Sequence, residues 1–309
     1  MLVCSRWEAL SVASPLWAHL STEQPLSVNK NLLSKSKDAL LDVVYTPTRQ
    51  SPWPVRIETN SLLPSTIHRW RSLEYKADGY DPPTYMDAVL MDLHHLTAPN
   101  LNSVSFCSPS EMFFKLPLTT RLRHISLLGY FTPWNSSPFC GLGTLKLYSL
   151  EDEGPSVDQL IDLLRASPGL VTLSLGDLDL QGTLSNHADI ITLEPLETLE
   201  MWCATYPIVG DLLSIIRIPR CTKFRLKNDH FPDNKLLGPS MEHLFPMFQA
   251  IIDSCDYIDI AFADVRLNII FQKSDEEMLE IRSSITSELQ DWPISTSKGL
   301  RKPLKSCPH

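Results

Sequence analysis

Residues 170–175 read LVTLSL, and this spacing of apolar residues recurs along most of the chain. The pattern is L-x-x-L-x-L, with other apolar residues allowed at the three marked positions. Close copies are LGTLKL at 142–147, LETLEM at 196–201 and LRHISL at 122–127. Looser copies are LNSVSF at 101–106, CTKFRL at 221–226, WRSLEY at 70–75 and CDYIDI at 255–260. Such a repeat predicts the architecture, because each copy is one structural unit that buries its apolar residues by stacking on its neighbours.

The distance between copies indicates the type of repeat. The middle apolar residues of successive copies lie 20 to 34 residues apart. Leucine-rich repeats run roughly 20–29 residues, so most steps fit and the two outer steps require insertions. Each copy is read as one short strand. Alternation sends its last two apolar residues into a stacked core, and the residues between them face outward.

Segments with helical spacing separate the predicted strands. The clearest begins at the predicted N-cap Ser156 and ends near Pro168-Gly169. Similar segments lie at 85–96, 211–216 and 241–252. Strand, loop and helix in repetition predict an α/β fold, an irregular leucine-rich-repeat solenoid with the form of a horseshoe.

The repeats lack one regular feature. An Asn or Cys usually follows the repeat strand, but Leu150 and Leu178 occupy that position in two of the best copies. We therefore expect irregular repeats without the asparagine ladder that satisfies turn backbone in regular ones.

The composition excludes several classes of protein. The 309 residues carry a net charge of −9, which disfavours nucleic-acid binding. No apolar run approaches the roughly 18 residues of a membrane-spanning helix, and we expect no secretory leader. Seven cysteines without a C-x-x-C pair indicate reduced thiols and no zinc site. We expect a cytoplasmic or nuclear protein with no cofactor, no metal, no nucleic-acid partner and no membrane partner.

The first twenty residues, MLVCSRWEALSVASPLWAHL, differ from the repeats. They resemble the second half of an F-box, a motif that typically ends V-C-[KR]-x-W-x-x-[LIA]-A-x-x-P-x-L-W. The matching residues are Val3, Cys4, Arg6, Trp7, Leu10, Ala13, Pro15, Leu16 and Trp17. Residues 1–270 also resemble the F-box proteins with irregular leucine-rich repeats that are numerous in fungi. The phrases that carry this wider resemblance lie at 68–73, 97–101 and 167–170.

The resemblance implies a role in ubiquitin ligation. An F-box docks on a Skp-type adaptor of a cullin-RING ubiquitin ligase, and the repeats hold the protein substrate. The adaptor-binding residues carried over by position are Val3, Cys4, Trp7, Leu10, Pro15, Leu16 and Trp17. The opening L-P-x-E-[IL] half of the motif has no counterpart before Met1. Either the annotated gene starts late, or this chain docks weakly or not at all.

The N-terminal residues allow a second interpretation. Trp7, Leu10 and Trp17 could form a helical cap over the open end of the solenoid, since terminal repeats need a cover. The predicted function is thus a substrate receptor of a Skp-cullin-F-box type ubiquitin ligase with an unknown protein substrate. The alternative is a non-catalytic leucine-rich-repeat scaffold with a remnant F-box and no ligase link.

The patterns divide the chain into five parts. These are a partial F-box-like helical segment at 1–20, a connector with one strand at 21–65, the repeat solenoid at 66–272, a C-terminal capping helix at 273–292, and a disordered basic tail at 293–309. The capping helix is predicted by a capping box and by four apolar residues at helical spacing. Those residues are Ser274 and Glu277 for the box, and Met278, Ile281, Ile285 and Leu289 for the face.

No motif indicates catalysis, and we expect the protein not to be an enzyme. Gly141-Leu142-Gly143 lacks the third glycine of a phosphate loop and continues into a predicted strand. His94 and His95 with Asp92 resemble a metal site, but neighbours on a helix point about 100° apart and cannot easily face one ion. The nucleophile pattern G-x-S-x-G is absent from the sequence.

The outward positions of the strands are candidate binding positions, since they line the concave face of a horseshoe. Tyr148 and Trp202 are large rings on an otherwise small polar surface, and such rings are typical interface anchors. Lys223, Arg225 and Lys227 form a basic strip on one strand of an acidic protein. We predict that they bind an acidic protein partner. Alternatively, Trp202 packs under a neighbouring loop and nearby carboxylates balance the strip.

Overall fold

The structure is a computed structural model. It describes residues 14–46, 64–76, 97–113, 122–131, 134, 139–150, 154–178, 180, 189–202, 212–228, 257–263, 266–273, 276–284 and 302–303. The fold is α/β, with strands that are mostly parallel and few helices among these residues. The chain divides into two compact units, Met1–Cys140 and Gly141–His309.

The first unit contains a parallel sheet whose strands follow chain order. The strands are β1 (His19–Ser21), β2 (Leu41–Tyr45), β3 (Trp70–Lys76), β4 (Ser103–Phe113) and β5 (His124–Phe131). Helix α1 (Leu26–Ser36) lies between β1 and β2. Single 3-10 turns lie at Ser14–Trp17 and Ile67–Arg69.

The core of the first unit is a ladder of the residues that the repeat pattern marks. Leu73 lies opposite Val104, and Val104 lies opposite Ile125, in the register of the sheet. All three are buried. Two positions further along, Tyr75 stacks on Tyr45 at 5.5 Å between ring centroids. Burying each such side chain contributes about 1.5–3 kcal/mol, so the ladder fixes both the register and the face that turns inward.

The second unit contains a larger sheet with parallel and antiparallel parts. Its strands are β6 (Thr144–Tyr148), β7 (Thr172–Gly176), β8 (Ile191–Thr192), β9 (Thr198–Trp202), β10 (Ile216–Arg217), β11 (Lys223–Asn228), β12 (Tyr257–Ala263), β13 (Arg266–Lys273), β14 (Glu276–Ser284) and β15 (Lys302–Pro303). The order within the unit is β6-β7-β9-β11-β14-β13-β12-β15, and β8 pairs separately with β10. The pairs from β6 to β14 are parallel, and the pairs from β14 to β15 are antiparallel.

The repeat pattern also sets the core of the second unit. Leu145, Leu173 and Leu199 lie opposite one another on β6, β7 and β9, and Phe224 on β11 continues the row. All four are buried. The strands predicted from seven of the eight copies are therefore confirmed, with parallel pairing inside each unit.

Helix α2 (Val157–Arg165) confirms the helix predicted after Ser156. The Ser156 hydroxyl accepts from the backbone N–H of Gln159, and the Gln159 side chain accepts from the backbone N–H of Ser156. This capping box satisfies two donors that the first helical turn leaves open. The apolar face of the helix is buried through Val157, Leu160, Ile161, Leu163 and Leu164.

The ends of two strands show how the backbone groups of a turn are hydrogen-bonded without an asparagine ladder. Ser149 and Asp177 adopt left-handed backbone, with φ of 48° and 50°. Their backbone N–H groups donate to the carbonyls of Gly176 and Trp202 on the next strand, at 2.9 Å each. Leu150 and Leu178, one residue on, are buried. Here the turn backbone bonds directly to the neighbouring strand, and a leucine fills the following position.

The N-terminal parts differ from the prediction. Residues 14–17 form a 3-10 turn and His19–Ser21 is a strand, so the described end of the predicted helical segment 1–20 is not α-helical. The strand predicted in the connector 21–65 is confirmed as Leu41–Tyr45, but helix Leu26–Ser36 was not predicted. That helix has no apolar stripe, because its buried residues are Asn29 and Ser36. Parallel pairing also begins at β1, before the predicted solenoid boundary at residue 66.

The C-terminal parts also need correction. The capping helix predicted at 273–292 is wrong where it is described, because Glu276–Ser284 is strand β14. Leu279 and Ile281 alternate there with charged residues, a period of two that pairing with β11 and β13 selects over the helical period. In the tail predicted to be disordered, Lys302–Pro303 pairs with β12. The open edge of β12 offers the backbone groups for that pairing.

One predicted repeat copy is not part of the parallel series. Residues 255–260 were read as a repeat strand, but Tyr257–Ala263 pairs antiparallel with Arg266–Lys273. Only two residues separate these strands in sequence, and a parallel connection needs about a dozen or more. Of the other predicted helices, 212–215 forms a helical turn, while 85–96 and 241–252 lie outside the described residues.

Candidate functional site

Two predicted aromatic residues meet on the outward face of the second unit. Tyr148, Gly176 and Trp202 lie opposite one another on β6, β7 and β9. The rings of Tyr148 and Trp202 are 5.1 Å apart at their centroids and nearly perpendicular, at 88°. This edge-to-face geometry is favourable by about 0.5–1.5 kcal/mol beyond area burial. The rings come from strands two places apart, so they can meet only across the strand between them.

Gly176 makes that contact possible. A Cβ atom at this position would lie 2.7 Å from Cδ1 and 2.8 Å from Cε2 of Trp202, closer than real Cβ contacts allow. The indole therefore lies directly over the backbone of Gly176. Trp202 still keeps 41% of its surface exposed, which is high for so large an apolar residue. The indole is thus supported from below and open to solvent.

A polar row lies two residues earlier on the same strands. Lys146, Ser174, Glu200 and Arg225 occupy opposite positions on β6, β7, β9 and β11. The carboxylate of Glu200 is the centre of the row. It accepts from the Ser174 hydroxyl at 3.1 Å and from the Arg225 guanidinium at 3.2 Å, and the Lys223 ammonium lies 3.9 Å away.

Acidic residues lie on both strands beside the two cations. Lys223 and Arg225 share the carboxylate of Glu200 on β9, and the three side chains keep 22–32% of their surface exposed. On the other side of β11, Glu280 of β14 lies opposite Arg225 in the register. The arrangement favours the alternative in which nearby carboxylates balance the basic strip.

Burial changes the titration of two groups near this face. It raises the pKa of the Tyr148 phenol; the negative charge of Glu200 raises it further, and a hydrogen bond between Tyr148 and Ser174 acts in the opposite direction. Tyr148 is therefore neutral at physiological pH. Burial also raises the pKa of the Cys221 thiol to about 12. This cysteine is an inert core residue rather than a nucleophile, because the thiolate is the reactive form.

The structure brings together most of the predicted partner-binding residues. Tyr148 and Trp202 touch, Lys223 and Arg225 share Glu200, and Lys227 lies opposite Trp202 in the register. Trp202 packs against Gly176 and Tyr148, which differs from the alternative of packing under a loop. Three further residues belong to the site but were not predicted as binding residues: Ser174, Gly176 and Glu200. They occupy outward positions of the aligned repeat copies, between the predicted residues.

The predicted adaptor-binding residues lie partly outside the described residues. Val3, Cys4, Trp7 and Leu10 fall within 1–13, which the structure does not describe. Pro15, Leu16 and Trp17 lie in the 3-10 turn of the first unit. Leu16 is exposed, and the Lys35 ammonium lies 4.2 Å from the ring centroid of Trp17, within cation–π distance.

Other predicted chemistry can be checked only in part. In the described part of the chain, no three His, Cys, Asp or Glu side chains are grouped so that they could hold a metal ion. Asp92, His94 and His95 lie outside that part. Gly141-Leu142-Gly143 runs into strand β6, as predicted. No helix within the described ranges has the length and apolar character needed to cross a membrane.

Three comparisons with known proteins found no match to this chain. No family model matches the chain, and neither the curated proteins nor the solved structures yield a match. The fold and the surface therefore define only a class: an α/β protein of mainly parallel strands, with an exposed tryptophan on the outward face of its second unit.

Proposed function

We propose that this chain is a protein-binding substrate receptor of a Skp-cullin-F-box type ubiquitin ligase, and that its parallel strands belong to an irregular leucine-rich-repeat solenoid. In this proposal the F-box-like N-terminus binds a Skp-type adaptor, and the outward face of the strands binds a protein substrate. The receptor acts in the cytoplasm or nucleus and performs no catalysis itself. It needs no cofactor and binds no nucleic acid.

The observation that carries the binding role is the outward face of β6, β7, β9 and β11. An exposed tryptophan, supported by a tyrosine and a glycine, lies beside a cluster of ion-paired side chains. Tryptophan, tyrosine and arginine are the residue types that contribute most at protein interfaces. A face built only for solubility would not need an exposed indole held in one orientation.

The in-register rows support the solenoid. Successive copies of the pattern place one buried apolar residue opposite the next, with one parallel strand per copy. In such an array each unit contacts its neighbours, and the outward residues form an extended surface. The adaptor role rests on the resemblance of residues 3–17 to the second half of an F-box.

The adaptor role can be tested by co-expression. The full-length gene product is produced together with a Skp-type adaptor and analysed by size-exclusion chromatography. We expect the two proteins to elute together, and we expect Trp17→Ala to weaken the complex. Trp202→Ala is the matched control, since the proposal places Trp202 on the substrate side, and it should leave adaptor binding unchanged.

A second function keeps the binding surface and removes the ligase. In that alternative the chain is a leucine-rich-repeat scaffold with a remnant F-box. Separate elution of the full-length product and the adaptor would favour the scaffold. The partner-binding role of Trp202 and Arg225 is tested separately, by the recovery of partners from cells.

A further inference from the structure

One face of the Trp202 indole lies flat against the sheet. The position of a Cβ on Gly176 falls closest to Nε1 of the indole, and the two ring atoms bonded to Nε1 are only slightly farther away, at 2.7 and 2.8 Å. A position beyond the ring edge would be much farther from those two atoms than from Nε1, so the backbone of Gly176 lies beneath the ring face. Trp202 keeps 41% of its surface exposed, and the opposite face of the indole is therefore open to solvent.

Tyr148 holds the indole in this orientation. The two rings are 5.1 Å apart at their centroids and nearly perpendicular. A hydrogen bond with Ser174 fixes the position of the tyrosine in turn. The indole thus forms a flat and rigid apolar platform, and a rigid aromatic surface loses little conformational entropy on binding.

Polar side chains lie beside the platform on the same face of the sheet. Glu200 precedes Trp202 by two residues on β9, so the two side chains leave the strand on one side, about 7 Å apart. The Glu200 carboxylate accepts from Ser174 at 3.1 Å and from Arg225 at 3.2 Å. The Lys223 ammonium lies 3.9 Å from the same carboxylate. Both Glu200 and Lys223 are partly exposed, so a ligand on the platform can reach an acceptor and a donor.

This combination of groups selects among classes of ligand. An apolar side chain on the platform would cover the polar groups without satisfying them, which costs free energy. Glu200 disfavours an anion, and Lys223 disfavours a cation. Arg225 lies opposite Glu200 on β9 and Glu280 on β14, so its charge is not available to select an acidic ligand. A hydroxyl group both donates and accepts, and it therefore matches a carboxylate and an ammonium together.

We propose that this face binds a neutral sugar in its pyranose form, carried by the protein partner. The C–H bonds on one face of the sugar ring stack on the exposed face of Trp202, and the hydroxyl groups at its rim bond with Glu200 and Lys223. A sugar whose ring substituents are all equatorial fits best, because only C–H bonds then point from the ring face toward the indole. The inference rests on the proposed binding function and adds the chemical class of the bound group.

The test uses glycopeptides with the full chain. The probe is a twelve-residue Gly/Ser peptide in which one serine carries β-linked N-acetylglucosamine, a neutral sugar with equatorial substituents. Comparison peptides carry no sugar, carry β-linked glucuronic acid, or have two prolines in place of the glycosylated serine. Binding is followed by NMR of the peptides. We expect the probe to bind at least fivefold more tightly than each comparison peptide, with an upfield shift of the sugar C–H protons that lie over the indole.

Variants of the protein separate the platform from the polar groups. Trp202→Ala should weaken the probe at least fivefold and abolish the upfield shift. Glu200→Gln should weaken the probe at least threefold and keep the shift, since the platform remains. Ile190→Ala and Arg217→Gln are the controls: both residues are exposed and lie outside the strands that carry the surface, and both variants should bind like the wild type. The comparison peptides leave the protein untouched, so they decide the matter even where a variant fails to fold.

A competition experiment tests the source of the sugar. The methyl glycoside of N-acetylglucosamine, added in excess, should release the protein partners that the wild type recovers from cells and Trp202→Ala does not. Binding of the glycoside without release of any partner would assign the site to a free sugar and overturn the protein-borne source.

The peptides also give the results that would overturn the inference as a whole. These are no saturable binding of the probe, equal affinity for the probe and the bare peptide, or tighter binding of the proline or glucuronic acid peptide. Adaptor co-elution separates these results from the ligase role. Loss of sugar selectivity with intact adaptor binding removes only the sugar inference, and the reverse result removes only the ligase role.

Discussion

At residue 176 the lack of a side chain lets rings from two strands meet. Tyr148 and Trp202 lie on β6 and β9, with β7 between them, and any Cβ on β7 would occupy the space of the indole. The pair thus depends on a third residue that makes no polar contact and carries no charge. Single positions of this kind control the surface more than the composition of the strands does.

Gly176→Ala should displace the indole and weaken the recovery of partners from cells at least fivefold, as Trp202→Ala should. The stability loss should be small, about 1 kcal/mol or less, because the displaced atoms belong to an exposed side chain that can rotate away. Gly169→Ala is the control, since nothing lies within 4 Å of a Cβ there. Partner recovery and urea unfolding check both effects. Equal partner recovery by the two variants would contradict the role of Gly176.

Asp42 is a second residue whose environment sets its chemistry. It accepts from Nε of Arg71 at 3.0 Å, from Nη2 of the same guanidinium, and from the Ser72 hydroxyl at 2.6 Å. The hydrogen bonds from Arg71 are the main cause that lowers the pKa of this carboxyl below its ordinary 3.8, against a smaller opposing effect of burial. A lowered pKa in the folded state stabilises the fold above the unfolded value.

Asp42→Asn should therefore destabilise the first unit at pH 7, by about 0.5–1 kcal/mol for a half-exposed ion pair. The difference from wild type should be fully present above about pH 4 and shrink as the pH falls from 3.8 toward the lower pKa of the folded state, below which Asp42 is protonated in both states. Urea unfolding at several pH values measures it, with Asp38→Asn, an exposed carboxylate, as the control. A difference that grows on acidification would contradict the assignment.

At the scale of elements, the start of α2 depends on one side chain. Ser156 accepts from the Gln159 N–H at 3.2 Å, and Gln159 accepts from the Ser156 N–H at 2.9 Å. We expect Ser156→Ala to lower the free energy of unfolding by about 1 kcal/mol, the usual value for an N-cap. Ser27→Ala in α1 is the control, since Ser27 is exposed inside a helix where alanine is favoured. Equal effects would contradict the capping role.

The end of α1 has a strained residue. Lys37 follows the helix with φ 50° and ψ −117°, a conformation that only glycine adopts without cost. Lys37→Gly should raise the free energy of unfolding by about 1 kcal/mol. Lys30→Gly, in the exposed interior of the same helix, should lower it by about 1 kcal/mol. Thermal or urea unfolding gives both signs, and a loss in both variants would contradict the observed backbone conformation.

The residues of each helix and strand explain whether that element could be predicted from the sequence. Alternating apolar residues such as Leu173 and Leu175 define the parallel strands, because strand period and burial agree there. Helix α2 has both a cap and an apolar face. Helix α1 has neither: it buries Asn29 and Ser36 and shows no side-chain cap. Strand β14 carries a residue pattern that fits both periods, and only pairing with β11 and β13 resolves it.

At the level of the whole molecule, the repeat brings together side chains that no single sequence motif contains. Tyr148, Trp202 and Arg225 could be selected one by one as outward residues, but their contacts depend on the register between strands. The roles of Gly176 and Glu200 depend on the same register and were missed for that reason. A surface assembled from several repeats has no local signature, since its residues lie about 25 positions apart in sequence.

Recovery of partners from cells tests whether the outward face around Trp202 and Arg225 is the partner-binding surface. Five tagged proteins are purified from cells in parallel, and the proteins that co-purify with each are quantified by mass spectrometry. The five are the wild type, Trp202→Ala, Arg225→Glu, and the two controls Ile190→Ala and Arg217→Glu. We expect a set of partners that Trp202→Ala and Arg225→Glu both lose at least fivefold and that the two controls keep. Unchanged recovery by Trp202→Ala and Arg225→Glu would contradict it.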